Sequence, residues 1–122
     1  MQYKLIQKHN PANRREPAKW YAAPVNNGRI TSFQLNRQVI IHNKLDKDMV
    51  KKTVNALTCE IIELLGQGYS VNLGRMGTFR ISFSSEGVEN TDNFLPEMIS
   101  SLRVIFTPSV ELHKKLKETI IT

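Results

Sequence analysis

The sequence holds one cysteine, Cys59. That excludes an intrachain disulfide and a cysteine-based metal cluster, and mid-helix placement reads Cys59 as an inert packing residue. Histidine is as sparse: His9, His42 and His113 fall in three separate segments without a carboxylate at ligand spacing. No metal and no cofactor is expected. No apolar run is long enough for a secretory leader or a bilayer span, so the chain reads as cytoplasmic, without a membrane partner. Catalytic constellations are missing too. Glu60 and Glu63 stand one helical turn apart, as on a solvated face, and no nucleophile, base and orienter fall together. Gly66, Gly68 and Gly74 follow a helix and lead into a strand, the reverse of a dinucleotide-binding loop. The expectation is a protein that is not an enzyme and has no small-molecule substrate.

What is abundant is positive charge. Lys and Arg number 17 against 11 Asp and Glu in 122 residues, for a net charge of +6 and a pI near 9.7. Such a balance favours a polyanionic partner, nucleic acid ahead of an anionic membrane surface. The length fits one small domain with a short appendage.

The most informative stretch runs from Ser70 to Phe83. Val71 and Leu73 alternate with Asn72, and beyond Gly74 and Gly77 the apolar Phe79, Ile81 and Phe83 alternate with Thr78, Arg80 and Ser82. Period-two alternation predicts an antiparallel hairpin with one apolar and one polar face. The polar face carries arginine and no acid, which suits a polyanion.

Upstream, residues 1–29 read as an N-terminal extension of two short strands, Tyr3 to Lys8 and Lys19 to Ala22, joined by a basic loop and confined to sheet edges by Pro11, Pro17 and Pro24. Trp20 reads as its packing anchor. Thr31 with Gln34 forms a capping-box pattern at a helix start, and Asp46 caps a second helix of about Lys47 to Leu65. On that helix Val50, Val54, Leu57, Ile61 and Leu64 form an apolar seam. A small sheet cannot cover it, so a homodimer is expected, with this seam and Phe79 at its interface. Residues 86–97 hold Glu86, Glu89, Asp92 and Glu97 and no Lys or Arg. Pro96 reads as opening a helical turn over Glu97 to Ser101. Leu102 to Phe106 reads as a third strand, with Leu102, Val104 and Phe106 inward and Arg103 outward. Thr107-Pro108 reads as the cap and first turn of a closing helix that carries Lys114, Lys115 and Lys117.

Helix, helix, strand, Gly74-Arg75-Met76-Gly77-Thr78-Phe79, variable arm, strand and basic helix: this order resembles the bacterial histone-like DNA-binding proteins, HU and integration host factor. Gly74, Gly77 and Phe79 match their consensus, while Met76 stands where an aromatic is usual. Lys19-Trp20-Tyr21, Ser85-Glu86-Gly87 and Phe106-Thr107-Pro108-Ser109 are similar to an HU-related subgroup with an N-terminal extension. The core resemblance spans about Ile30 to Ile120.

The resemblance implies an α+β fold: a helical hairpin, a three-stranded antiparallel sheet with an arm, and a C-terminal helix, intertwined as a dimer over residues 30–122. It implies binding to double-stranded DNA through phosphates with low sequence specificity, in the nucleoid. The saddle positions it implies are Arg75, Arg80 and Arg103. Helix N-termini at Thr31-Ser32 and Ser109 would donate N–H groups to phosphate, beside Lys114, Lys115 and Lys117. One departure stands out. The family's arm carries an arginine-asparagine-proline wedge that kinks the duplex, and the acidic arm here has none. The competing reading is an HU-type structural module that has lost most DNA binding and docks a protein.

Overall fold

The computed structural model describes residues 1–120. The fold is α+β, and the chain divides into two compact units: Met1–Ile30 together with the chain from His113 on, and Thr31–Leu112.

The second unit contains the helical hairpin and the larger sheet. Helix α1 (Ser32–Asn43) starts with a complete capping box, in which the Gln34 N–H donates to Thr31 Oγ1 at 3.2 Å and the Thr31 N–H donates to Gln34 Oε1 at 2.9 Å. It ends at Lys44 in the left-handed conformation, φ 51°. Helix α2 (Lys47–Gly66) is capped by Asp46, whose Oδ2 accepts from the Met49 N–H at 2.9 Å. Its end is a double-bonded reversal: the Tyr69 N–H donates to Leu64 O and the Gly68 N–H to Leu65 O. That reversal needs φ +91° at position 68, which glycine adopts without steric cost.

Strands β3 (Val71–Asn72), β4 (Gly77–Ser85) and β5 (Ile99–Pro108) form an antiparallel sheet in that order. The turn between β3 and β4 is held by the Leu73 N–H on Gly77 O at 2.8 Å. A side chain at position 77 would put its Cβ 2.2 Å from Thr107 O and 2.9 Å from Pro108 Cα, and φ there is +145°. The lack of a side chain at Gly77 therefore lets the end of β5 lie directly on the β4 backbone.

Four expectations for this unit are corrected. The helical turn after Pro96 is a single 3₁₀ turn, Pro96–Met98, and the strand begins at Ile99, not Leu102. The extra length is absorbed by a bulge, where Ser101 (φ 53°) and Leu102 lie opposite the single residue Phe83. Pro108 ends β5 rather than opening a helix; Ser109 caps helix α3 (Val110–Ile120), its Oγ accepting from the Leu112 N–H at 3.0 Å. Cys59 is exposed rather than packed.

In the first unit, β1 (Tyr3–Lys8) and β2 (Lys19–Pro24) pair antiparallel, from Tyr3 opposite Pro24 to Lys8 opposite Lys19. The connecting loop is tied by its own asparagines. Asn10 Oδ1 accepts from the Ala12 N–H at 3.0 Å and Asn13 Oδ1 from the Arg15 N–H at 3.1 Å. The Met1 amino group donates to Thr119 O of α3 at 2.7 Å.

Candidate nucleic-acid interface

Directly opposed residues of an antiparallel pair share a face, so the ladder sorts the sheet. Val71, Phe79, Ile81, Val104 and Phe106 occupy one face, with the Phe79 and Phe106 rings 5.0 Å apart. Asn72, Thr78, Arg80, Ser82, Arg103, Ile105 and Thr107 occupy the other. Arg80 lies opposite Ile105 and Arg103 opposite Ser82, so the two guanidinium-bearing positions are diagonal neighbours. Both are exposed, and no acid shares their face. Asn72 is spoken for structurally: its amide donates to Thr78 Oγ1 at 3.1 Å, and its carbonyl accepts from the Gly74 N–H at 3.1 Å.

Arg75 is placed differently. It sits in the β3–β4 turn, where its Nε and Nη2 donate to Glu111 Oε1 at 2.9 and 2.6 Å. The hydrogen bond, and then the charge, of that carboxylate hold the guanidinium pKa above its ordinary value. Beneath the pair, Ser109 joins turn to helix: its N–H donates to Met76 O at 2.9 Å and its hydroxyl to Arg75 O at 2.5 Å. A cation already facing a carboxylate is a weaker phosphate ligand than a free one, so Arg75 differs from Arg80 and Arg103 in kind.

The helix starts are partly satisfied from within. At α1 the capping box engages the N–H groups of Thr31 and Gln34, and the exposed Ser32 lies between them. At α3 the N–H groups of Ser109 and Leu112 have partners inside the chain. Lys114, Lys115 and Lys117 are all exposed on α3, within the other compact unit.

The apolar seam of α2 is graded. Val50 is buried, Val54, Ile61 and Leu64 are half-buried, and Leu57 at its centre is 45% exposed. Phe79 is half-buried, while Val104 on the same sheet face is 61% exposed. Periodicity missed two participants. Leu65, outside that seam, is one of the buried residues. Glu111, 36 residues from Arg75, carries no local signal of its pairing.

Among the described residues no cluster of His, Cys, Asp and Glu could hold a metal, and no helix is long and apolar enough to cross a membrane.

No curated protein matches this chain. Among solved structures it resembles a chain from Bacteroides vulgatus ATCC 8482, described as a "Putative bacterial DNA binding protein", with a TM-score of 0.61 and 17% identity. The match covers 83% of this chain and 41% of that one, and at this identity it speaks for the fold alone. The family model HU-HIG, described as an HU domain fused to wHTH, Ig, or Glycine-rich motif, matches residues 1–122. The chain belongs to the HU-HIG family of HU domains.

Proposed function

We propose that this HU domain acts as a homodimer that binds double-stranded DNA through the phosphate backbone, with little sequence preference, and helps organise the nucleoid. The observation that carries the reading is the sheet's division: Arg80 and Arg103 on an acid-free polar face, backed by an apolar face left partly uncovered at Val104 and Phe106. Guanidinium groups on a face whose one amide, Asn72, is engaged within the chain neutralise phosphates and release counterions, which gives affinity without sequence information. The Bacteroides vulgatus neighbour, described as a "Putative bacterial DNA binding protein", points the same way.

Exposed area supports the dimer. The chain exposes 11129 Å², against roughly 6,700 Å² for one compact domain of this mass and roughly 8,000 Å² for its two units taken as separate domains. An obligate homodimer of about 2,000–5,000 Å² total interface removes half of that from each protomer. The α2 seam Val50, Val54, Leu57, Ile61 and Leu64, with Phe79, is the surface we assign to it.

The test is a duplex titration at four salt concentrations, wild type against Arg80→Ala. Each neutralised phosphate contributes about −0.9 to the slope of log K against log salt. Arg80→Ala should flatten the slope by about one unit and weaken unrelated duplexes by similar factors. An unchanged slope would reject this face. It would favour a second reading, a protein-docking HU module, which one observation supports: residues 86–97 carry four acids and no base.

A further inference from the structure

The β1–β2 hairpin concentrates positive charge that the one acid of its loop, Glu16, balances only in part. Lys4, Lys8, Arg14, Arg15 and Lys19 are exposed, and none of them forms an ion pair among the described residues. The ladder sets Lys8 directly opposite Lys19, and puts Lys4, Ile6, Tyr21 and Ala23 on that same face. Like charges directly opposed destabilise a strand pair. In a two-stranded sheet, which has little stability to spare, such a pair makes sense where an anion is to be bound.

At the loop end, Lys8 and Lys19 border a hollow together with His9, Asn10, Pro11, Glu16, Pro17 and Tyr21. Glu16 is the one acid there, its carboxylate accepting from Asn10 Nδ2 at 3.4 Å. The asparagine turns at Asn10 and Asn13 fix the loop that presents Arg14 and Arg15.

The opposite hairpin face carries Tyr3, Leu5, Gln7, Trp20, Ala22 and Pro24, without a charge. Trp20 is 64% exposed. The uncharged face with Trp20 and the face on which Lys4, Lys8 and Lys19 alternate with Ile6, Tyr21 and Ala23 point away from each other, so a lipid surface cannot take up Trp20 and the lysines at once. From Lys4 to Lys8 the cations span about 13 Å of strand, with the arginine loop beyond. That is too long for a single phosphate. It suits a polyanion such as duplex DNA, which carries a charge every ~1.7 Å of axis.

We propose that the β1–β2 hairpin is a second duplex-binding element, gripping phosphates with Lys8, Arg14, Arg15 and Lys19 separately from the sheet face. The inference rests on the reading of the chain as a duplex-DNA binder. It assigns the N-terminal extension a share of the affinity in place of the acidic arm.

The test is the same salt titration on the full chain, with Lys8→Gln, Arg14→Gln, Arg15→Gln and Lys19→Gln combined. The slope should flatten by about two units or more, with affinity at 100 mM salt falling about tenfold or more. The melting temperature should hold or rise, because the Lys8–Lys19 opposition is gone. Lys8→Arg with Lys19→Arg keeps the charge and should keep the wild-type slope; a flattened slope there would overturn the proposal, as side-chain shape and not charge would be responsible. A four-site variant with the wild-type slope, losing instead its binding to poly-glutamate, would make the hairpin a protein-docking surface and overturn the proposal too. Flattening in this variant but not in Arg80→Ala upholds the hairpin while rejecting the sheet face. The reverse pattern rejects the hairpin alone, and a wild type that binds no duplex rejects both.

Discussion

Met1–Ile30 with the chain from His113 on carries nine Lys and Arg against two Glu, whereas Thr31–Leu112 carries eight against nine Asp and Glu. The first unit is therefore +7 and the second −1, and the whole net charge of +6 is absent from the unit that bears the family's sequence motif. Gly74, Gly77 and Phe79 lie in that near-neutral unit, where they shape a turn and a sheet. The residues that mark the family and those that would attract DNA are therefore largely separate sets. Motif positions answer to backbone geometry, while cations answer to a long-range field and can be carried by any exposed element.

The largest effect confined to one unit is expected at Gly77. Alanine there meets Thr107 O and Pro108 Cα inside contact distance, and it meets them from a conformation that costs an L residue about 1–3 kcal/mol on its own. We expect Gly77→Ala to destabilise the Thr31–Leu112 unit by about 4 kcal/mol, strain and clash together. Hydrogen exchange should show protection lost across α2 and β4, with smaller changes in β1 and β2. A variant with wild-type protection would mean that the β5 end can move off β4 without cost.

Second in size is Leu57→Asp. Leu57 is part-exposed in the single chain, so the substitution should leave α2 formed. In the proposed dimer it buries an unpaired carboxylate at the centre of the seam, at about 3 kcal/mol or more. Sedimentation should show a dimer for the wild type and a monomer for the variant. A wild type that sediments as a monomer rejects the seam as an interface.

How much of this was legible in the sequence follows the range of the interactions. The capping box of Thr31 and Gln34, the Asp46 cap and the glycine reversal after α2 each involve residues three to five apart, and each is where local chemistry predicts it. Alternation gave the faces of β4 and β5, because a strand's period is fixed at two. The errors sit where distant backbone decides. Thr107-Pro108-Ser109 offers two equally good helix starts; the choice falls on Ser109 because Gly77 pairs with Pro108 and Met76 O accepts from Ser109. The bulge at Ser101 and Leu102 extends β5 past its apolar stretch, and no residue type announces it. The saddle arginines looked equivalent as cations, and only the fold separates Arg75 from Arg80 and Arg103.

A third test concerns the acidic arm. Glu89→Lys with Asp92→Lys reverses two charges on the segment that the proposed duplex would meet with repulsion. Affinity should rise about tenfold at low salt, and the slope should steepen by one to two units as new phosphate contacts form. Weaker binding by this variant, or efficient circularisation of short DNA by the wild type, would show that the arm already engages the groove.

The smallest expected effect separates Arg75 from its neighbours. Glu111 accepts two N–H groups of Arg75 through one oxygen, and both side chains are open to solvent. A phosphate must therefore compete with a carboxylate for Arg75, and the counterion released on binding is in part already displaced. Arg75→Ala should flatten the salt slope by less than half the change seen for Arg80→Ala, with affinity altered less than twofold. Glu111→Gln should free the guanidinium and steepen the slope by up to about one unit. The pH dependence follows from the direction of the shift: a cation whose folded pKa is raised contributes stability fully below its unfolded pKa, and that contribution is lost only as pH rises through the folded value. For an arginine that window lies in strong alkali, so titrating the wild type between pH 6 and 9 should reveal no change traceable to Arg75. If Arg75→Ala instead flattens the slope as much as Arg80→Ala, then the pair opens on DNA and Glu111 is a latch rather than a competitor.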